Sequence, residues 1–276
     1  MSTQRWNASD YASNARFVSD LAGPVIELLA PRPGEHLLDL GCGDGVLMEQ
    51  LAALGTSIVG VDPSPEMVAG ARSRGLDVRQ LDARNLPFSC EFDAVFSNAV
   101  LHWIPDLDPV LHGVRRALKP NGRFVGECGG HGCVAAVCTA LTEVAVRRGL
   151  PVALPWDFRA AEGFEASLTA AGFEPILVRL APRPTFLPAG MAAWLRTFAG
   201  WFFDGLPEQE RDAAFAEAVD LLRPALCDGQ GRWTADYVRL RFAARRRTEG
   251  HVPDDAAVPG DDVYRVAMAS ALRRMA

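Results

Sequence analysis

Short apolar segments alternate with helical patterns through the first half of this chain, and nothing else in the sequence narrows the fold so far. "HLLDL" (36–40), "SIVGVD" (57–62), "LDVRQLD" (76–82), "FDAVFSN" (92–98) and "GRFVGEC" (122–128) read as strands, with helical patterns at 45–55, 63–75 and 108–118 between them. Such alternation predicts βα units and a parallel sheet covered on both faces. The punctuation agrees. Gly55 and Gly75 stop two helices, Ser64 and Pro65 open the second, and Lys119-Pro120-Asn121-Gly122 makes a turn after the third.

The second half continues with helices at 133–148 and 163–170, a strand at 174–180, helices at 191–203 and 208–226, and a strand at 233–246. The helices of about 189–228 read as a cap inserted between strands six and seven. Residues 1–247 are expected to form one domain, and 248–276 a Pro/Asp/Gly-rich linker ending in a short amphipathic helix, Val263 to Met275. The length of 276 residues suits one large domain carrying an insertion.

A net charge of −6 without a concentrated basic face argues against a nucleic-acid partner. No apolar run approaches the ~20 residues of a membrane helix, and the polar start "MSTQRWNASDYASN" lacks a signal-peptide core. The six cysteines contain no C-x-x-C pair, and Cys128, Cys133 and Cys138 recur at intervals of five, which shares no helix face. Reduced thiols, no metal site and a cytoplasmic location are the expectation, in a monomer or homodimer.

The chemistry gathers at "LLDLGCGDG" (37–45). A dinucleotide loop reads G-x-G-x-x-G and seats a pyrophosphate on the following helix. Here Gly41, Gly43 and Gly45 are evenly spaced, and Asp44 inside the loop would repel a phosphate. Asp39 at the strand end suits a cationic amine or braces the loop. Asp62 ends strand two, the position from which a carboxylate accepts both ribose hydroxyls. Asp82 ends strand three, placed to accept from an adenine amino group. An amine, a ribose diol and an adenine without phosphate describe S-adenosylmethionine.

"LLDLGCGDG", "VGVDPSPEM", "LDARNLPF" and "FDAVFSNAVLHW", in that order, resemble the successive motifs of a class I S-adenosylmethionine-dependent methyltransferase. "RWNASDY", "ALKPNGRFV", "APRPTFLP", "MAAWLRTFA" and "WTADYVRLRFAARR" extend the resemblance to the small-molecule branch that includes trans-aconitate 2-methyltransferases, up to about residue 247. The resemblance implies an α/β fold with a seven-stranded Rossmann-like sheet in order 3-2-1-4-5-7-6 and strand seven antiparallel. It places the Gly41 and Gly43 backbones against the methionine part of the cofactor, Cys42 beside them as a further cofactor contact, Asp62 on the ribose, Pro63 and Met67 along the adenine, and Asp82 and Ala83 on the adenine edge. Asn98 and Ala99 touch the methionine part by their backbone.

Beyond the cofactor, His102 lies just past strand four as a candidate general base, or as a residue that only packs. Glu127 and His131 flank "ECGGHG" after strand five, to orient substrate or to brace the loop. Tyr11, a candidate substrate contact, and Phe17 sit on an N-terminal arm suited to close over the cofactor, or to dock on the sheet through Phe17, Leu21, Val25 and Leu28 at helical spacing. Trp103, and Trp194 and Phe198 on the aromatic face of the cap that also carries Trp201 and Phe202, are candidate substrate contacts. Arg183 suits a carboxylate or a salt bridge. The expected activity is methyl transfer to a small-molecule O, N or C nucleophile. The alternatives are a SAM-binding regulatory module without turnover and an NAD-dependent oxidoreductase, which the loop spacing and Asp44 disfavour.

Overall fold

The structure, a computed structural model, describes residues 16–247. Tyr11 and the 248–276 segment, including the expected terminal helix, lie outside the described residues.

The order of the main sheet is β3-β2-β1-β4-β5-β9-β6. Its strands are β1 (His36–Leu40), β2 (Ser57–Asp62), β3 (Val78–Gln80), β4 (Phe92–Asn98), β5 (Leu118–Gly129), β6 (Phe173–Pro182) and β9 (Val238–Arg246). The first five run parallel, and β9 is antiparallel to both neighbours, with Glu127 opposite Arg241 and Gly129 opposite Arg239. This is the expected topology. The segment read as one seventh strand is divided: β8 (Thr234–Ala235) pairs with β7 (Thr185–Phe186) in a separate ribbon, and only then does β9 begin. β3 is shorter than its motif suggested, because Asp82 opens a 3-10 turn, Ala83–Asn85.

Alternate residues of each strand feed opposite faces of the sheet. Leu38, Leu40, Val95, Phe124 and Phe242 join a core with α5 (Asp108–Ala117) and α7 (Ala161–Ala170). Leu37, Phe96, Val125 and Ala243 pack on the other side against α2 (Gly23–Leu29) and α3 (Val46–Ala53). The N-terminal arm is not one helix. It breaks between α1 (Phe17–Asp20) and α2, where Gly23-Pro24 cannot continue the first helix, and Leu21 is left exposed.

The cap is α8 (Gly190–Ala199) and α9 (Glu208–Leu226), set between β7 and β8. α6 (Ala135–Arg147), which the sequence marks only as a helix at 133–148, joins it. Val137, Leu141 and Val144 share one apolar cluster with Trp194, Leu195, Ala214 and Leu222. Among the described residues no helix is long and apolar enough to cross a membrane.

Candidate functional site

The glycine loop links β1 to α3, and all three glycines have positive φ, at 78°, 57° and 83° for Gly41, Gly43 and Gly45. A Cβ at Gly41 would stand 2.2 Å from Val100 Cγ2, and one at Gly45 2.3 Å from Leu76 Cδ1. A Cβ at Gly43 would meet nothing within 4 Å. Packing and conformation both demand glycine at 41 and 45. Gly43 instead faces open space at the carboxyl end of the sheet, room that a ligand can use.

Asp62 is locked against this loop. Its Oδ2 accepts the Gly43 N–H at 3.1 Å and its Oδ1 the Ser64 N–H at 2.9 Å. Each oxygen keeps a lone pair for a further donor. Burial raises its pKa, against those two hydrogen bonds. Ser64 in turn caps α4 (Pro65–Ser73), accepting the Met67 N–H at 3.3 Å. Asp39 is 2% exposed, and burial, then the neighbouring Asp62 charge, push its carboxyl up to about 8. An uncharged acid so buried becomes a strong anion site once a cation arrives beside it.

The Cys42 side chain turns into the core with Met48, Val68 and Ala71, leaving its backbone in the loop. Pro63 is exposed and Met67 buried at the start of α4. Asp82 is engaged with Arg84, whose N–H and Nε both donate to its Oδ1, at 2.9 and 3.0 Å. The 3-10 turn brings Arg84 back over the carboxylate, and these bonds hold its pKa below the usual carboxylate range.

At the end of β4 the Asn98 Nδ2 donates to Val18 O at 3.2 Å, tying the N-terminal arm to the sheet. Ala99 takes φ 61°, a left-handed conformation that costs a non-glycine residue about 1–2 kcal/mol. Its N–H donates to Glu127 O at 2.7 Å. The following 3-10 turn, Leu101–Trp103, buries His102. The Nδ1 of His102 accepts the Gly129 N–H at 3.2 Å. Burial, then the Arg239 charge, push the imidazole down to about 3. His102 is therefore neutral, with its proton on Nε2. The lone pair expected of a general base is already in use.

A cavity adjoins Ala99 and His102, walled by Trp103, Trp156, Phe158, Trp194, Phe198 and Tyr237. Phe158 stacks between His102 and Trp156, with centroids 5.7 Å from each ring. The Trp194 Nε1 donates to Tyr237 Oη at 2.6 Å. Val134, a second non-glycine residue at positive φ (45°), and Arg239 also line the cavity. Strained residues on both sides fit a functional site, where such conformations concentrate.

Trp103, Trp194 and Phe198 reach this cavity, while Trp201 and Phe202 stand half-exposed outside its lining. His131 is exposed and is not part of the lining, and its N–H bonds Arg159 O. Glu127, 2% exposed, is committed to arginines. Its Oε1 accepts from Arg183 Nη1 at 2.6 Å and its Oε2 from Arg241 Nε at 2.8 Å. Arg183 thus takes the salt bridge.

The sequence reading missed Val18, Cys133, Val134, Trp156, Phe158, Tyr237 and Arg239. Only Arg239 left a signal. Arg239 and Arg241 alternate with Leu240 and Phe242 in a strand destined for the sheet interior, where both arginines would need anions.

A family model described as a methyltransferase domain matches residues 38–126. An uncharacterized methyltransferase of Schizosaccharomyces pombe is 38% identical over 256 residues, covering 87% of this chain and 98% of that protein. A trans-aconitate 2-methyltransferase of Methylobacterium nodulans is 36% identical over 124 residues, 42% of this chain and 47% of that protein. The fold is similar to Haemonchus contortus phosphoethanolamine N-methyltransferase 2 in complex with S-adenosyl-L-methionine, with a TM-score of 0.54 at 21% identity over 83% of this chain and 52% of that one. With its motifs at the carboxyl ends of β1 to β4 and a near-full-length relative of the same kind, the chain belongs to the class I S-adenosylmethionine-dependent methyltransferases.

Proposed function

We propose that the acceptor of this methyltransferase is a small molecule held in the aromatic cavity beneath the cap. The observation that carries the reading is the position of that cavity, walled by Trp103, Trp156, Phe158, Trp194, Phe198 and Tyr237, beside Ala99 at the end of β4. Such a concave, mostly apolar site with few polar groups suits a small ligand. A relative over two-fifths of the chain is named for a small acceptor as well.

In this reading Asp62 accepts the ribose hydroxyls with the lone pairs left after Gly43 and Ser64. Asp39 faces the cofactor ammonium, and Gly41 and Gly43 let the methionine part approach the backbone. Asp82 and the Ala83 N–H take the adenine edge, with Pro63 and Met67 along its faces. Bound there, the cofactor supplies a methyl made electrophilic by its sulfonium. The protein contributes alignment and exclusion of water: the rings fix the acceptor in line, and α6, α8 and α9 close the site from above.

Incubation with methyl-labelled S-adenosylmethionine and separate metabolite, protein and RNA fractions tests this. Label entering the metabolite fraction supports it. Label confined to protein or RNA overturns it.

A further inference from the structure

Arg239 is the one charged side chain lining the cavity among the described residues, and it is 2% exposed. Its Nε has no hydrogen-bond partner. The guanidinium lies over the Tyr237 ring at 4.4 Å, and the nearest carboxylate oxygen, Glu127 Oε1, is 3.9 Å from Nε. That carboxylate already binds Arg183 at 2.6 Å and Arg241 at 2.8 Å. Three buried or half-buried arginines thus share a single glutamate, and Arg239 is the one left without a hydrogen-bonded anion. Buried charges are stable when paired. The missing partner is an anion, and Arg239 is a lining residue of the cavity.

His102 presents a second donor to the same space. Its Nδ1 is occupied by the Gly129 N–H, so the hydrogen on Nε2 is the one the ring offers to the cavity it lines. Gly129 is also the cross-strand partner of Arg239. One backbone pair therefore holds both donors in fixed relation. The walls around them are flat aromatic rings, and no carboxylate lines the cavity among the described residues.

We propose that Arg239 and the Nε2–H of His102 together grip a carboxylate of the acceptor, so that the acceptor is a small carboxylic acid and His102 is a donor that positions it rather than a base. This rests on the small-molecule reading. Two donors, one of them a planar guanidinium, match a planar monoanion between aromatic walls. The low pKa of His102 is consistent with a ring that stays neutral and keeps Nδ1 on Gly129.

The test uses the intrinsic fluorescence of the cavity tryptophans. The intact protein, saturated with S-adenosylhomocysteine, is titrated with sodium benzoate and sodium butyrate and with benzamide and butyramide. Each acid should bind at least about tenfold more tightly than its amide, the size of one charge-assisted hydrogen bond. The preference should vanish in Arg239→Met and weaken in His102→Phe. Because Arg239→Met risks misfolding, the acid–amide comparison on the wild-type protein decides by itself. Equal binding of acid and amide, or no binding of either acid at millimolar concentration, overturns the proposal. Nitrogen-15 NMR at about pH 7 should show His102 as the neutral Nε2–H tautomer, and an Nδ1–H tautomer or an imidazolium also overturns it. Methyl labelling of separate metabolite, protein and RNA fractions with the same preparation separates the two readings. If label enters the metabolite fraction while the acid preference is absent, the grip alone fails; if label is confined to protein or RNA, the underlying reading fails.

Discussion

Asp62 Oδ2 accepts the Gly43 N–H at 3.1 Å, so the carboxylate at the end of β2 and the glycine loop after β1 form one rigid unit. A single hydrogen bond joins two motifs that are separate in sequence.

Replacing Asp62 by Ala removes this bond, the Ser64 bond and the proposed ribose contacts. Charge-assisted hydrogen bonds are worth roughly 1.5–3 kcal/mol each. Calorimetry should show S-adenosylmethionine affinity reduced at least tenfold, with a cooperative thermal transition retained. Unchanged affinity would place the ribose elsewhere.

Gly41→Ala and Gly43→Ala should behave differently. The new Cβ at 41 collides with Val100 Cγ2 at 2.2 Å, whereas the one at 43 meets nothing within 4 Å. Both carry the left-handed penalty of about 1–2 kcal/mol. Gly41→Ala should cost more in thermal denaturation and be partly rescued by Val100→Ala. Gly43→Ala should lose cofactor affinity with the smaller loss of stability. The reverse order of stabilities would show that Val100 is not the obstacle.

With Asp39 at the proposed ammonium site, cofactor binding should depend on pH. Its carboxyl is raised from 3.8 to about 8 in the folded protein. Between those values the folded state holds a proton that the unfolded state has released, so this residue's contribution to stability falls as pH rises. Binding an ammonium beside it requires ionisation and so becomes stronger toward pH 8. Calorimetry in buffers of different ionisation enthalpy should show proton release on S-adenosylmethionine binding near pH 7, lost in Asp39→Asn. Binding without proton release would remove Asp39 from the ammonium site.

His102 has the opposite sign. The folded imidazole is lowered from 6.5 to about 3, so between those values the unfolded chain binds more protons and stability declines as pH falls below 6.5. His102→Gln should flatten that acid limb in urea denaturation measured across the pH range. An unchanged limb would show that other groups set it.

Glu127→Gln should be costly to the fold. It leaves Arg183, Arg239 and Arg241 around an uncharged side chain that is buried to 2% exposure. Breaking a buried ion pair from one side costs roughly 3–5 kcal/mol. Urea denaturation should show a loss of that order. Full stability with a collapse of kcat would instead assign Glu127 to the substrate.

The sheet and the motif residues at the carboxyl ends of its strands are legible along the chain. The residues there follow one another along the chain, from Leu37 through Asp62 to Asn98. Strand ends, caps and glycines leave local marks that do not depend on distant partners. The same locality explains the misses along β3 and the N-terminal arm: a 3-10 turn at Asp82 and the Gly23-Pro24 break shorten elements whose apolar spacing runs on. The aromatic cluster around the cavity leaves no such local mark. Phe17, His102, Trp156, Trp194 and Tyr237 meet there from five separate segments. Their spacing in sequence carries no record of the meeting. His102 Nδ1 accepts a backbone N–H from 27 residues away, at Gly129. Glu127 meets Arg241, which stands opposite it only because β9 runs antiparallel to β5. Hydrogen-bond partners and burial are properties of the assembled chain, and they decide which nitrogen carries a proton and which charge is left unpaired.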